Sequence, residues 1–151
     1  MIAVVQRVTS ASVTIAGSIV GQIGPGLAVL AAVHVDDTPF DFQWAAAKLA
    51  SLRIFPQAEK NFDLDVKQIG GSILLVSNFT VAGETRQGRR PSLSAAAPPD
   101  QAGPLFAQLV EAVRAQGVPV QTGTFGADML VQINNDGPVT FLIDSRPARP
   151  V

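Results

Sequence analysis

The sequence predicts an α+β fold: a mainly antiparallel or mixed, barrel-like sheet with two principal helices packed on it. Short strand-like runs are numerous, only two segments carry helical spacing, and each of those two opens on a proline-containing start signal. At 151 residues the chain is most simply one domain, able to bury roughly 70% of its unfolded surface. That domain is expected over residues 1–145. The end, Arg146-Pro147-Ala148-Arg149-Pro150-Val151, is expected to be a frayed, disordered tail.

Residues 2–16 alternate well enough for two short strands, separated at Thr9-Ser10-Ala11. Ser18 to Ile23 continues as a third, and Gly24-Pro25-Gly26 breaks it. Leu27 to Val33 is a continuous apolar run, the pattern of a strand covered on both faces. Asp36-Asp37-Thr38-Pro39 supplies helix-start chemistry, and Phe42, Ala45, Ala46, Leu49 and Leu52 follow at helical spacing up to Arg53. Gln57 to Lys67 reads as a polar loop, and Ser72 to Val76 as another buried strand. Pro98-Pro99-Asp100 opens the second helix; Leu105, Phe106, Leu109, Val110 and Val113 line one face, and Gly117 stops it. Strands near Val118–Thr122 and Asp128–Ile143 complete the count. Within the last, Asn134-Asn135-Asp136-Gly137-Pro138 reads as a hairpin turn between two apolar flanks.

Composition removes several chemistries. Apolar residues make up 47% and charged ones 15%, so the chain is globular and not disordered. A net charge of −1 argues against non-specific coating of nucleic acid but allows a local basic patch. Without cysteine there is no disulfide, thiolate nucleophile or Cys-ligated zinc, and His34 is the single histidine. Asp128, Asp136 and Asp144 are scattered and mark no metal cluster; no cofactor is implied. No run approaches the roughly 20 apolar residues of a membrane span, and no signal peptide opens the chain. A cytoplasmic protein is expected.

Ser77-Asn78-Phe79-Thr80 follows a buried strand. Strand ends leave backbone N–H groups without ladder partners, and such donors can face an anionic oxygen. Taken alone, the quartet is an ordinary polar strand terminus. Thr80 as a nucleophile would need a neighbouring base, and His34 reads as a structural residue at a strand end. Arg86, Arg89 and Arg90 form the densest basic run. It is either a solvated loop or a phosphate contact, since arginine offers a planar fork to phosphate oxygens. Arg7 sits mid-strand among valines; pointing inward it must be paired, and carbonyls at the Gly137-Pro138 tip would suit.

With these segments in place, the chain resembles the bacterial-type D-aminoacyl-tRNA deacylases over residues 1 to about 145. The resemblance is carried by Ala3-Val4-Val5-Gln6-Arg7-Val8, Ile23-Gly24-Pro25-Gly26-Leu27, Leu52-Arg53-Ile54-Phe55 and Gly88-Arg89-Arg90-Pro91-Ser92. Ala96-Ala97-Pro98-Pro99, Phe125-Gly126-Ala127-Asp128-Met129 and Asn135-Asp136-Gly137-Pro138-Val139-Thr140 follow in the same order. It implies a homodimer with the active site at the subunit interface. It also implies hydrolysis of the ester between a D-amino acid, or glycine, and the 3′-terminal adenosine of tRNA. By the same resemblance, Ser77, Asn78, Phe79 and Thr80 are catalytic, and Arg86, Arg89 and Arg90 bind RNA. Gly137 and Pro138, joined by a cis bond and held by Arg7, enter the partner's pocket beside Met129 and exclude an L side chain. Three positions depart from the family pattern: Asn78 stands for glutamine, Gln87 for lysine and Leu93 for phenylalanine. Two other readings compete: a small-molecule esterase with a Thr80 nucleophile, and a non-catalytic tRNA-binding module.

Overall fold

A computed structural model describes residues 1–146. In chain order it contains β1 (Ile2–Ile15), β2 (Ser18–Ile23), β3 (Gly26–Ala32), α1 (Pro39–Ser51), β4 (Phe55–Gln57) and β5 (Lys60–Leu64). Then come β6 (Ser72–Ser77), a 3-10 turn (Phe79–Ala82), α2 (Pro99–Arg114), β7 (Val120–Thr122) and β8 (Leu130–Asp144). The sheet is mixed: β1 pairs antiparallel with β2, β3 and β8, whereas β3–β6 and β6–β7 are parallel. Of the expected tail, residues 147–151 lie outside the described residues. Arg146 is described, and its guanidinium forks onto the Asp144 carboxylate. No helix among the described residues is long and apolar enough to cross a membrane.

Three elements differ from the sequence reading. The break expected at Thr9-Ser10-Ala11 is absent, because β1 has partners along both edges. β8 follows one edge, while β3 pairs residues 2–8 and β2 pairs residues 11–15 on the other. The polar stretch 57–67 is partly a hairpin of β4 and β5, with Phe55 opposite Leu64 and Gln57 opposite Lys60. Its outer residues Lys60, Asn61 and Phe62 are exposed, so the chain there lacks the in–out apolar alternation that marks a half-buried strand. Finally, the Asn134–Pro138 segment is no hairpin turn. Its two flanks pair with β1 instead of each other, Leu130–Ile133 against Ala11–Thr14 and Thr140–Asp144 against Ile2–Gln6.

Alternation along the central strands divides the interior in two. Ala3, Val5, Leu27, Val29, Ile73 and Leu75 face one core with Phe42, Leu49, Phe106 and Leu109 from the two helices. The intervening residues Val8, Val13, Ala28, Leu74 and Val76 face a second core inside the curved sheet. Each such aliphatic side chain contributes roughly 1.5–3 kcal/mol by leaving water. Curling brings β2 against β7: a Cβ on Gly21 would lie 2.5 Å from the Thr122 carbonyl oxygen, so only glycine allows this approach.

The start of α1 is tied down by Asp41. Its carboxylate accepts from the Thr38 N–H and hydroxyl, both at 2.8 Å, and from the Ser145 hydroxyl at 2.6 Å. Burial alone pushes this carboxyl up, but the Ser145 and Thr38 donors prevail and hold it down at about 2, against 3.8 when free. The folded value is the lower one, so the contribution is complete above about pH 4 and is lost as pH falls toward 2. Asp41→Ala is expected to cost about 1 kcal/mol at neutral pH, as cap losses do. Urea melts at pH 7 and pH 3 check this, because the difference from the parent chain narrows at the lower pH.

Candidate active site

The buried strand β6 lies between β3 and β7, and it delivers Ser77 opposite Ala31 at the sheet's end. The Asn78 N–H makes a last bond to the Ala31 carbonyl at 2.8 Å, after which the chain turns away in the 3-10 segment. Asn78 caps that turn. Its side-chain oxygen accepts from the Thr80 N–H at 3.3 Å and from the Thr80 hydroxyl at 2.5 Å. The Thr80 N–H is therefore engaged within the turn. Phe79, the first residue of the turn, carries one of the N–H groups that such a start leaves without an internal partner.

Ser77, Asn78 and Phe79 form one wall of a cavity of about 830 Å³. Phe125 and Met129 line it too, and Leu30, Val76, Val131 and Ile133 give it an aliphatic floor. A large, mostly apolar hollow with a few convergent polar groups is the form of a small-molecule site. Met129 is thus brought together with Ser77, Asn78 and Phe79, while Thr80 lies outside the lining. Sequence reasoning missed Phe125 as a wall residue, having noted only its motif. Its exposure, 39% for a large aromatic beside glycines, is a signal that a sequence does not display.

Gly137 and Pro138 stand elsewhere. Val8 faces Asn135 and Gln6 faces Thr140, so Arg7 alone lies opposite residues 136–139, which bulge out of β8. The Gly137–Pro138 bond is cis, and both residues are exposed. Asn135 straps the bulge: its side-chain oxygen accepts from the Val139 N–H at 2.8 Å, and its NH₂ donates to the Val139 carbonyl at 3.3 Å. Arg7 lies beneath, 8% exposed. Its Nη1 donates to the Ile54 carbonyl at 2.8 Å, and its Nε lies 3.1 Å from both the Asp136 carbonyl oxygen and the Asp136 carboxylate. The expected acceptors, the Gly137 and Pro138 carbonyls, are replaced by Asp136 and Ile54. Gly137 follows Ile133, a lining residue of the cavity, by four positions across the bulge. The tip is not among the residues lining its own chain's cavity.

Arg86, Arg89 and Arg90 project from an exposed loop closed by paired Glu84 and Ser92 backbone bonds at 2.9 Å. Arg86 lies 3.6 Å from the Glu84 carboxylate, a loose surface pair worth little. His34 is buried, and it lines a different hollow from Ser77–Phe79. No hydrogen bond joins it to Thr80 among the described residues; the Thr80 hydroxyl donates to Asn78 instead.

Comparison with known proteins gives one consistent picture. A family model described as D-Tyr-tRNA(Tyr) deacylase matches residues 4–144. A D-aminoacyl-tRNA deacylase of Desulfitobacterium hafniense (strain DSM 10664 / DCB-2) is 52% identical over 145 residues, 96% of this chain and 97% of the relative. One from Chloroflexus aurantiacus (strain ATCC 29364 / DSM 637 / Y-400-fl) is 51% identical, over 99% of this chain and 93% of the relative. Among solved structures, a c-Myc DNA unwinding element binding protein superposes with a TM-score of 0.90 at 36% identity, over 98% of this chain and 100% of that one. A probable eukaryotic D-amino acid tRNA deacylase gives a TM-score of 0.81 at 20% identity, over 94% and 97%, a likeness of fold.

Proposed function

The chain belongs to the D-Tyr-tRNA(Tyr) deacylase family, and we propose that it is a hydrolase that cleaves the ester joining a D-amino acid, or glycine, to the 3′-terminal adenosine of tRNA. The observation that carries this reading is the placement of Ser77, Asn78 and Phe79 on the wall of an apolar cavity at the end of a buried strand. An ester carbonyl seated there would meet the Phe79 N–H as charge develops on its oxygen; one such donor is worth about 3 kcal/mol. Water is the attacking group, with the terminal ribose 2′-OH helping to activate it. Chiral proofreading in the cytoplasm is the role that follows.

Selectivity needs a second copy. One chain's Gly137–Pro138 tip does not line its own cavity, whereas a homodimer can insert each tip into the partner's hollow. The proposed contact surface includes β8, which pairs only with β1 among the described strands and exposes Leu130 and Leu142 at 63% and 68%. Carbonyls of Gly137 and Pro138 would then crowd the substrate α-carbon and reject an L side chain. Arg86, Arg89 and Arg90 are assigned to the RNA phosphates.

The Thr80 esterase is disfavoured by the Thr80 hydroxyl donating to the Asn78 amide oxygen, an acceptor that cannot carry the proton away. Thr80→Ala is accordingly expected to retain deacylation within about tenfold, a general-base contribution being 10²–10⁴ by comparison. Single-turnover kinetics with a circular dichroism check on folding measure it. The decisive experiment uses matched D- and L-aminoacyl-tRNA with the purified protein. At least about 100-fold preference for D, near 2.7 kcal/mol, is expected. Equal cleavage of both enantiomers sinks the chirality reading, and cleavage of neither sinks the enzyme.

A further inference from the structure

A second hollow of about 750 Å³ adjoins the first, and three stretches of chain pass from one to the other. Val33 lines the first and His34 the second; Ala96 lines the first and Ala95 the second; Phe79 lines the first and Val81 to Glu84 the second. The His34–Ala96 backbone bridge stands in the partition. The 3-10 turn beside it is four residues long, about 6–8 Å at ~2 Å per residue.

Its walls differ from those of the first hollow. Ile2, Val81, Ala82 and Ala95 supply an apolar floor, while Arg86, Glu84, Asp144 and Arg146 add charged groups of both signs. His34, 6% exposed, contributes an imidazole. Its Nδ1 lies 3.4 Å from Arg146 Nη1, a group that only donates, so Nδ1 accepts and the proton rests on Nε2. Burial, followed by the neighbouring guanidinium, lowers the His34 pKa and keeps the ring neutral. That Nε2 is buried with no hydrogen-bond partner among the described residues, a shortage that interiors seldom leave.

An apolar floor, carboxylates, N–H donors and a loosely paired arginine together fit a polar heterocycle attached to a phosphate. We infer that this hollow is a second nucleotide subsite, taking the nucleotide that precedes the terminal adenosine of the substrate tRNA. The inference rests on the deacylase reading above, since the ester in the first hollow fixes which nucleotide arrives next. That nucleotide is a cytidine in every tRNA. A carboxylate of Glu84 or Asp144 accepts from its exocyclic amine, and Arg86 contacts the linking phosphate.

Two measurements test it. The first compares kcat/KM on D-aminoacyl-adenosine with that on the D-aminoacyl ester of the dinucleotide CpA. The dinucleotide should be at least about tenfold better, as expected for one charge-assisted hydrogen bond plus base contacts, and Arg86→Ala should cut that ratio about fivefold or more. A ratio near one in the parent chain overturns the subsite while leaving ester hydrolysis standing; failure to cleave either substrate overturns the deacylase reading instead. The second needs no turnover. His34 is the only histidine, so its ring resonances identify themselves. Cytidine 5′-monophosphate should shift them saturably, and inorganic phosphate should not. Equal shifts with both would mean an adventitious anion only, and no shift with either would overturn the subsite.

Discussion

Gly137→Ala is expected to reduce D-aminoacyl-tRNA deacylation by at least about 100-fold, near 2.7 kcal/mol in the transition state. Gly137 has φ +133, a conformation that side chains rarely adopt. A methyl there would lie 2.7 Å from Val139 Cγ2, 3.0 Å from the Val139 N and 3.2 Å from Arg7 Nη2. Two of these neighbours yield poorly: Val139 is part of the helix-side core, and Arg7 is fixed by Ile54 and Asp136. Strain of this kind costs about 1–3 kcal/mol, which the fold tolerates. The tip would survive but displaced, and in the proposed dimer it would no longer meet the partner's substrate in register. Kinetics alongside a thermal melt separate the two effects. Parental activity from a folded Gly137→Ala protein would place the stereochemical gate elsewhere.

Arg7→Leu is expected to be the most destabilising single change at the site, by about 3 kcal/mol, for a reason different from lost charge alone. Leucine leaves the buried Ile54 carbonyl without its donor, which costs about 1–3 kcal/mol. It also removes the partner of the half-exposed Asp136 carboxylate. A loss of that size lowers the melting temperature by about 10 °C in a chain of this length. Arg7→Lys keeps the charge but cannot fork to two acceptors, so it should fall between. Calorimetry on the three proteins ranks them, and Arg7→Leu melting with the parent would show that the guanidinium does not hold the bulge.

Much of this was legible in the residues. The apolar runs at 27–33 and 72–76 mark β3 and β6 because strands with two buried faces need no alternation. The proline signals at Pro39 and Pro98-Pro99 mark where α1 and α2 begin. Asn134–Pro138 misled because glycine next to asparagine and aspartate serves a reversing turn and a bulge equally well. What decides between them is the partner of the flanking strand, and β1 lies more than a hundred residues away. The strap made by Asn135 was hidden for the same reason, being a local bond that matters only once the bulge exists. At Asn78 the sequence displayed the substitution but not its effect. Only the folded chain shows the Asn78 amide turning onto Thr80, which engages that residue's N–H within the turn.

The order of the strands bears on how the protein is made. β1 leaves the ribosome before the other described elements, and its partner along one whole edge, β8, after them. At 5–20 residues per second the nascent chain must carry that edge uncovered for on the order of ten seconds. Such distant pairing also makes folding slow once synthesis ends. The β-branched residues Val5, Val8 and Val13 make that waiting edge prone to strand addition, since β3 and β2 cover only the opposite edge of β1.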